Sequence, residues 1–129
     1  MERLKTQWPE LYDRLFQLIY TNVMFGECEA ERVDASVADF VELMLAIPGT
    51  EAPHVRLTPE DGYVCACWSE SIPNDYLQMT FCGGNVCYER QYPGEYGEPG
   101  MWEEGGGDLA FAIVISKLYW GMVWEDNDV

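Results

Sequence analysis

Between Gly62 and Tyr92 apolar and polar residues alternate. The chain reads GYVCACWS, then DYLQMTFC, then, past Gly83-Gly84-Asn85, VCYERQY. A period of two marks strands that bury one face only. The alternation predicts three strands, at about 62–69, 75–82 and 85–92, turning Val64, Ala66, Trp68, Leu77, Met79, Phe81, Val86 and Tyr88 toward a core. Tyr63, Cys65, Cys67, Tyr76, Gln78, Thr80, Cys87 and Glu89 fall on the opposite face. That second set is mixed rather than polar, which marks the outer face as half covered or as one that receives a partner. His54-Val55-Arg56-Leu57, in a Pro-punctuated passage, adds a short edge strand.

The flanking segments follow the helical period instead. Leu11, Leu15, Leu18 and Asn22 form one stripe, widened by Trp8, Tyr12, Ile19 and Val23. With Pro9 in the first turn and Gly26 as a stop, they predict a helix over about 8–23. Glu27 to Asp34, with four acids and one arginine, reads as a solvated connection. A second helix is expected over about 36–47, where Val37, Phe40, Val41, Met44 and Leu45 share a face. Ser36 and Asp39 would cap it and Pro48-Gly49 would end it.

The segment from Tyr92 to Gly107, YPGEYGEPGMWEEGGG, has six glycines, two prolines, four glutamates and no base. Without a period it reads as a long acidic loop over 92–107, with Gly105-Gly106-Gly107 as a hinge. Asp108 then caps LAFAIVISKLYW, read as a helix over about 108–120 in preference to a strand. Met122-Val123-Trp124 is open to a strand continuation, and Glu125-Asp126-Asn127-Asp128 reads as a solvated tail. The predicted fold is a single α+β domain over 1–129. Two N-terminal helices, a three- or four-stranded antiparallel meander and a C-terminal helix make it up, the helices packed on one sheet face.

Charge changes this picture from a fold to a class of partner. The chain carries 23 acids against 7 bases, a net charge of −16 in 129 residues. Between Arg56 and Lys117 there is one base, Arg90, against ten acids. Such a surface repels nucleic-acid phosphates and anionic membranes, so neither is an expected direct partner. It suits a strongly basic protein. Five cysteines with no leading signal segment suggest a reducing compartment, and the longest apolar run, Leu109 to Ile115, is too short to span a bilayer. A cytoplasmic protein is expected.

Chemical motifs do not emerge. His54 has no serine or cysteine beside it in sequence. Structural zinc sites prefer two to four residues between paired cysteines; Cys82-x4-Cys87 has four, but Cys65-x-Cys67 on a strand separates its sulfur-bearing positions by about 6–7 Å, a poor chelating pair. These thiols read as small hydrophobes. A Gly84-Asn85 turn would set Cys82 against Cys87 across the hairpin, whereas a Gly83-Gly84 turn would not. Gly105-Gly106-Gly107 resembles a phosphate cradle, but Glu103, Glu104 and Asp108 flank it and no lysine follows. The loop acids lack calcium-loop spacing. No enzyme activity and no cofactor are expected.

In size, acidity, lack of catalytic motifs and reducing-compartment cysteines, the chain resembles the small acidic inhibitors that phages direct against host defence, including anti-CRISPR proteins and DNA mimics. The resemblance is one of class and rests on no alignable stretch. It implies a bacterial host cytoplasm and a basic nucleic-acid-binding protein or complex, such as a CRISPR surveillance complex, as partner. Glu95, Glu98, Glu103, Glu104 and Asp108 are the expected contact acids, and Tyr96 and Trp102 the aromatic anchors. Alternatives are an immunity protein or antitoxin against a basic toxin, or a structural domain whose acidity serves no charged partner.

Overall fold

A computed structural model describes residues 1–26, 28–69 and 72–121. Helices α1 (Glu2–Gln7), α2 (Pro9–Phe25) and α3 (Ala30–Ala46) precede the strands. These are β1 (His54–Leu57), β2 (Val64–Ser69), β3 (Tyr76–Phe81), β4 (Val86–Pro93) and β5 (Pro99–Gly107). Helix α4 (Leu109–Tyr119) follows. The five strands form one antiparallel sheet in sequence order, a pure meander. The α+β expectation holds, with one strand more than foreseen.

The three central strands lie where alternation placed them. Val64, Ala66, Leu77, Met79 and Phe81 are sealed from solvent, and Val86 and Trp68 nearly so. They pack under Phe40, Leu43 and Met44 of α3, with Phe40 meeting Phe81 edge-on at 5.5 Å between ring centres. Helix α4 joins from the same side, where the buried Ser116 donates to the Met79 sulfur at 3.6 Å and Ala112 enters the core. All the long helices therefore share one face of the sheet, and none of the described helices lies on the other.

The helix boundaries depart from the sequence reading in two places. The first helix is preceded by α1, and the chain breaks at Trp8, whose backbone is non-helical (φ −136°, ψ 75°) before Pro9 starts α2. The break lets the buried Trp8 indole N–H donate to the Thr50 carbonyl at 2.7 Å. The second helix begins at Ala30, six residues before Ser36, because Val33 already belongs to its buried face while Glu31 and Asp34 point outward. The proposed Ser36–Asp39 cap is thereby overturned. Ser36 lies in mid-helix and fully buried; its hydroxyl donates to the Phe81 carbonyl at 2.5 Å and accepts from the Val64 amide at 2.7 Å. One hydroxyl thus satisfies two buried backbone groups on adjacent strands. Asp39, one turn on, accepts from the Gly84 amide at 3.0 Å and pins the β3–β4 turn.

That turn has Gly83 and Gly84 at its centre, both with positive φ (64° and 95°), as a tight hairpin matching the strand twist requires. The register sets Thr80, not Cys82, opposite Cys87. All five cysteines are free thiols.

The long acidic loop is the main correction. Residues 99–107 are a strand, paired with β4 from Gln91↔Trp102 to Val86↔Gly107. The glycines are part of the ladder rather than a hinge. A side chain at Gly105 would run into the Tyr88 ring at 2.9 Å, and one at Gly107 into Phe111 at 2.7 Å. They make room for two aromatic rings. Asp108 caps α4 as expected, accepting from the Phe111 amide at 2.9 Å. The proposed strand at 122–124 and the acidic tail lie outside the described residues.

Candidate interaction surface

Strand pairing sorts every residue of the sheet onto one of two faces, since directly opposed residues share a side. Three rows cross the helix-free face. One runs His54, Cys67, Gln78, Glu89, Glu104, the next Arg56, Cys65, Thr80, Cys87, Gly106, and the last Ser69, Tyr76, Gln91, Trp102. Bases stand at the β1 edge and acids at the β4–β5 edge, so the face carries a charge gradient. Glu89 and Glu104 are direct cross-strand partners, two like charges side by side. With Gln78, Thr80, Cys87 and Gly105 they line a shallow hollow of about 400 Å³. Beside it Tyr76 and Trp102 meet edge-on at 5.9 Å, and Trp102 remains half exposed. Burial, then Glu89 and Cys67, raise the Tyr76 hydroxyl above the usual tyrosine value.

The turn from β4 into β5 extends this edge. Gln91 is buried and its amide donates to the carbonyls of Tyr92, Gly100 and Met101, holding the strand irregularity between Gln91 and Pro93. Asn74 donates to the Gly97 carbonyl at 2.6 Å and ties the turn to the β2–β3 connection. Tyr96 occupies the left-handed region (φ 55°) with its side chain 99% exposed. A bulky residue in that conformation costs about 1 kcal/mol or more, and here no packing offsets it. Glu95 and Glu98 flank it, both exposed.

The seven residues expected to act together therefore divide. Trp102 and Glu104 share the open face, and Glu95, Tyr96 and Glu98 form the turn at its edge. Glu103 turns to the helix side, opposite Arg90 in the ladder, where its carboxylate accepts from the Tyr92 hydroxyl at 3.4 Å. Burial, and after it Glu103, raise the Tyr92 hydroxyl. Asp108 is committed to its cap.

Arg90, the one base of this region, is also committed. Its guanidinium lies between the rings of Tyr92 (4.2 Å) and Tyr119 (4.6 Å) and donates to Asp75 at 2.5 Å, with further bonds to the Tyr76 and Gln91 carbonyls. Both charged side chains of the pair are about nine-tenths buried. The half-buried Glu89 and the exposed Glu104 stand on the open face, on the other side of the sheet from this guanidinium. Sequence reasoning had Glu89 and Tyr76 on the outer face but left them out of the contact set. Extending the period-two count through 99–107 is the signal that joins them to Glu104 and Trp102.

The fold also brings His54 opposite Cys67. Burial and the adjoining Cys65 push the Cys67 thiol above the usual range, the reverse of what a nucleophile needs. Among the described residues no three His, Cys, Asp or Glu side chains are grouped to hold a metal ion, and no helix is long and apolar enough to cross a membrane. Comparison with protein-family models, curated proteins and solved structures finds no match.

Proposed function

We propose that the protein is an acidic inhibitor that lays the β4–β5 side of its open sheet face against a basic, nucleic-acid-binding protein or complex, in the manner of an anti-CRISPR blocker of bacterial defence. The observation that carries this reading is the opposed Glu89–Glu104 pair beside the Tyr76–Trp102 rings, on the face that the described helices leave open and with Arg90 already paired to Asp75. Grooves that hold nucleic acid are lined with lysine and arginine, and duplex DNA presents them with one charge per ~1.7 Å. A paired sheet presents its carboxylates to such a groove already spaced by the ladder, and a net charge of −16 steers the encounter. Trp102, Tyr76 and the exposed Tyr96 supply the apolar anchors that make a bound state last. Glu95 and Glu98 extend the contact around the turn.

Competition decides the matter. The protein is titrated against a purified CRISPR surveillance complex carrying labelled target DNA, at low and at moderate salt. Displacement of the DNA, weakening as salt rises, is the expected result. Glu89→Lys with Glu104→Lys is expected to reduce displacement tenfold or more, and Trp102→Ala about tenfold, the usual loss for an aromatic anchor. Glu103→Lys, on the other face, serves as the control and changes it little. DNA and protein binding together without interference, or reversal of Glu89 and Glu104 without effect, would refute the reading.

A further inference from the structure

The outer side of α2 is apolar where a solvent-facing helix is ordinarily polar. Phe16, Tyr20, Val23 and Met24 are 58, 55, 68 and 55% exposed. At about 100° per residue they form one stripe, flanked by the part-buried Tyr12 and Ile19 and distinct from the core stripe of Leu11 and Leu15. From Leu15 to Gly26 there is no charged residue, in a chain that is 23% charged. Single exposed apolar residues are ordinary, but a contiguous run on one helix marks a contact surface.

We propose that this stripe is a self-association surface, on which α2 of one copy packs antiparallel against α2 of a second copy. Charge selects the occupant. Two chains at −16 repel wherever acids face acids, and over the span from Leu15 to Gly26 a second copy brings none. A basic protein gains nothing from a neutral apolar strip that the acidic sheet face does not offer it better. The stripe is also self-complementary. A two-fold axis at Tyr20 sets Phe16 of each copy near Met24 of the other, a ring against an adaptable thioether. The open edge at β5 would instead place Glu103 and Glu104 against their own copies. Helix α4 exposes Phe111, Val114 and Leu118, but each less fully (41–48%) and on only 11 residues.

The contact is small. A helix of 17 residues is about 26 Å long, and a strip about 10 Å wide along it offers far less than the ~800 Å² per partner of a standard interface. The dimer is therefore weak and reversible. Because α2 lies on the helix side of the sheet, both open faces remain uncovered in it.

Sedimentation equilibrium of the full chain, with no partner present, tests this independently of the inhibitor reading. Self-association is expected to tighten about tenfold or more between ~0.05 and ~0.5 M NaCl, as salt screens the mutual repulsion and spares apolar burial. Binding of a basic target has the opposite salt dependence. Phe16→Glu with Tyr20→Glu is expected to abolish the dimer, and Val23→Lys, a single change at the most exposed stripe position, to do the same with an unaltered far-UV circular dichroism spectrum. The proposal fails if the chain is monomeric at ~1 mM in high salt. A dimer that survives both variants, or one that salt weakens, also overturns it. A monomer whose stripe variants lose binding to neutral phosphatidylcholine vesicles would assign the surface to lipid instead.

Discussion

Along β3, Leu77, Met79 and Phe81 are completely buried, while their alternate neighbours Tyr76, Gln78 and Thr80 keep part of their surface in water. The same strands thus build two unlike surfaces. On the helix side, apolar burial is joined by polar groups that are paired within the core: Ser36 to two strand backbones, Arg90 to Asp75 and two tyrosine rings. On the bare side like charges stand adjacent, and Tyr76, Thr80, Cys67 and Cys87 keep part of their surface in water while Cys65 is buried. One face spends its side chains on stability, and the other accepts a small cost in stability to keep carboxylates available.

Three substitutions probe that division. The largest effect is expected on the helix side, where Phe81→Ala removes a fully buried ring packed against Phe40. A loss of about 3–5 kcal/mol by chemical denaturation follows from the cavity it leaves, a large share of what a domain of this size has. A loss below about 1 kcal/mol would mean that α3 does not pack there. Ser36→Ala comes next. It strands the Val64 amide and Phe81 carbonyl in the core, each a buried group without its side-chain partner, and about 1–3 kcal/mol of stability should go with it. Retention of full stability would show that the strands do not depend on this hydroxyl. The smallest effect has the opposite sign. Glu89→Gln with Glu104→Gln relieves a cross-strand repulsion and should stabilise the fold by about 0.3 kcal/mol at low salt, fading as salt screens the pair. Destabilisation by that change would put these carboxylates to structural use and erase the contrast between the faces.

How far the chain could be read without coordinates follows from where each signal resides. The central strands were legible because alternation is a local consequence of one-sided burial, and it runs through β3 and the start of β4 and along the apolar positions of β2. Helix α1 was not, since six residues with Leu4 alone buried carry no period. The first turns of α3 were hidden because the acids at 29, 31 and 34 read as solvated chain, although Val33 between them is core. Ser36 mimicked a cap because serine is far commoner at helix starts than buried beneath a sheet. Strand β5 has almost none of the residues that favour strands. Its pairing is imposed by β4, and its glycines answer to the rings of Tyr88 and Phe111, which lie elsewhere in sequence. The site suffered for the same reason. Its acids and aromatics were identified, but only the ladder tells Glu104 from Glu103 or ties Glu89 and Tyr76 to Trp102.

The three glycines of β5 have a consequence for the tempo of the molecule. Glycine loses more backbone freedom than any other residue when it is fixed in a ladder. Gly105, Gly106 and Gly107 do so at the sheet margin, with no strand beyond them among the described residues and, at Gly105 and Gly106, no burial of their own. The β4–β5 hydrogen bonds then open more readily than those between β2 and β3, which stay closed beneath α3 until the whole domain unfolds. In deuterated water the amides of 99–107 should exchange well before those of 76–81. Each opening parts Glu104 from Glu89 and Trp102 from Tyr76, so the acidic face exists as a unit only while β5 is zipped. A partner that grips all four side chains would register as slowed exchange in β5, a readout of contact available even before the partner's own structure is known.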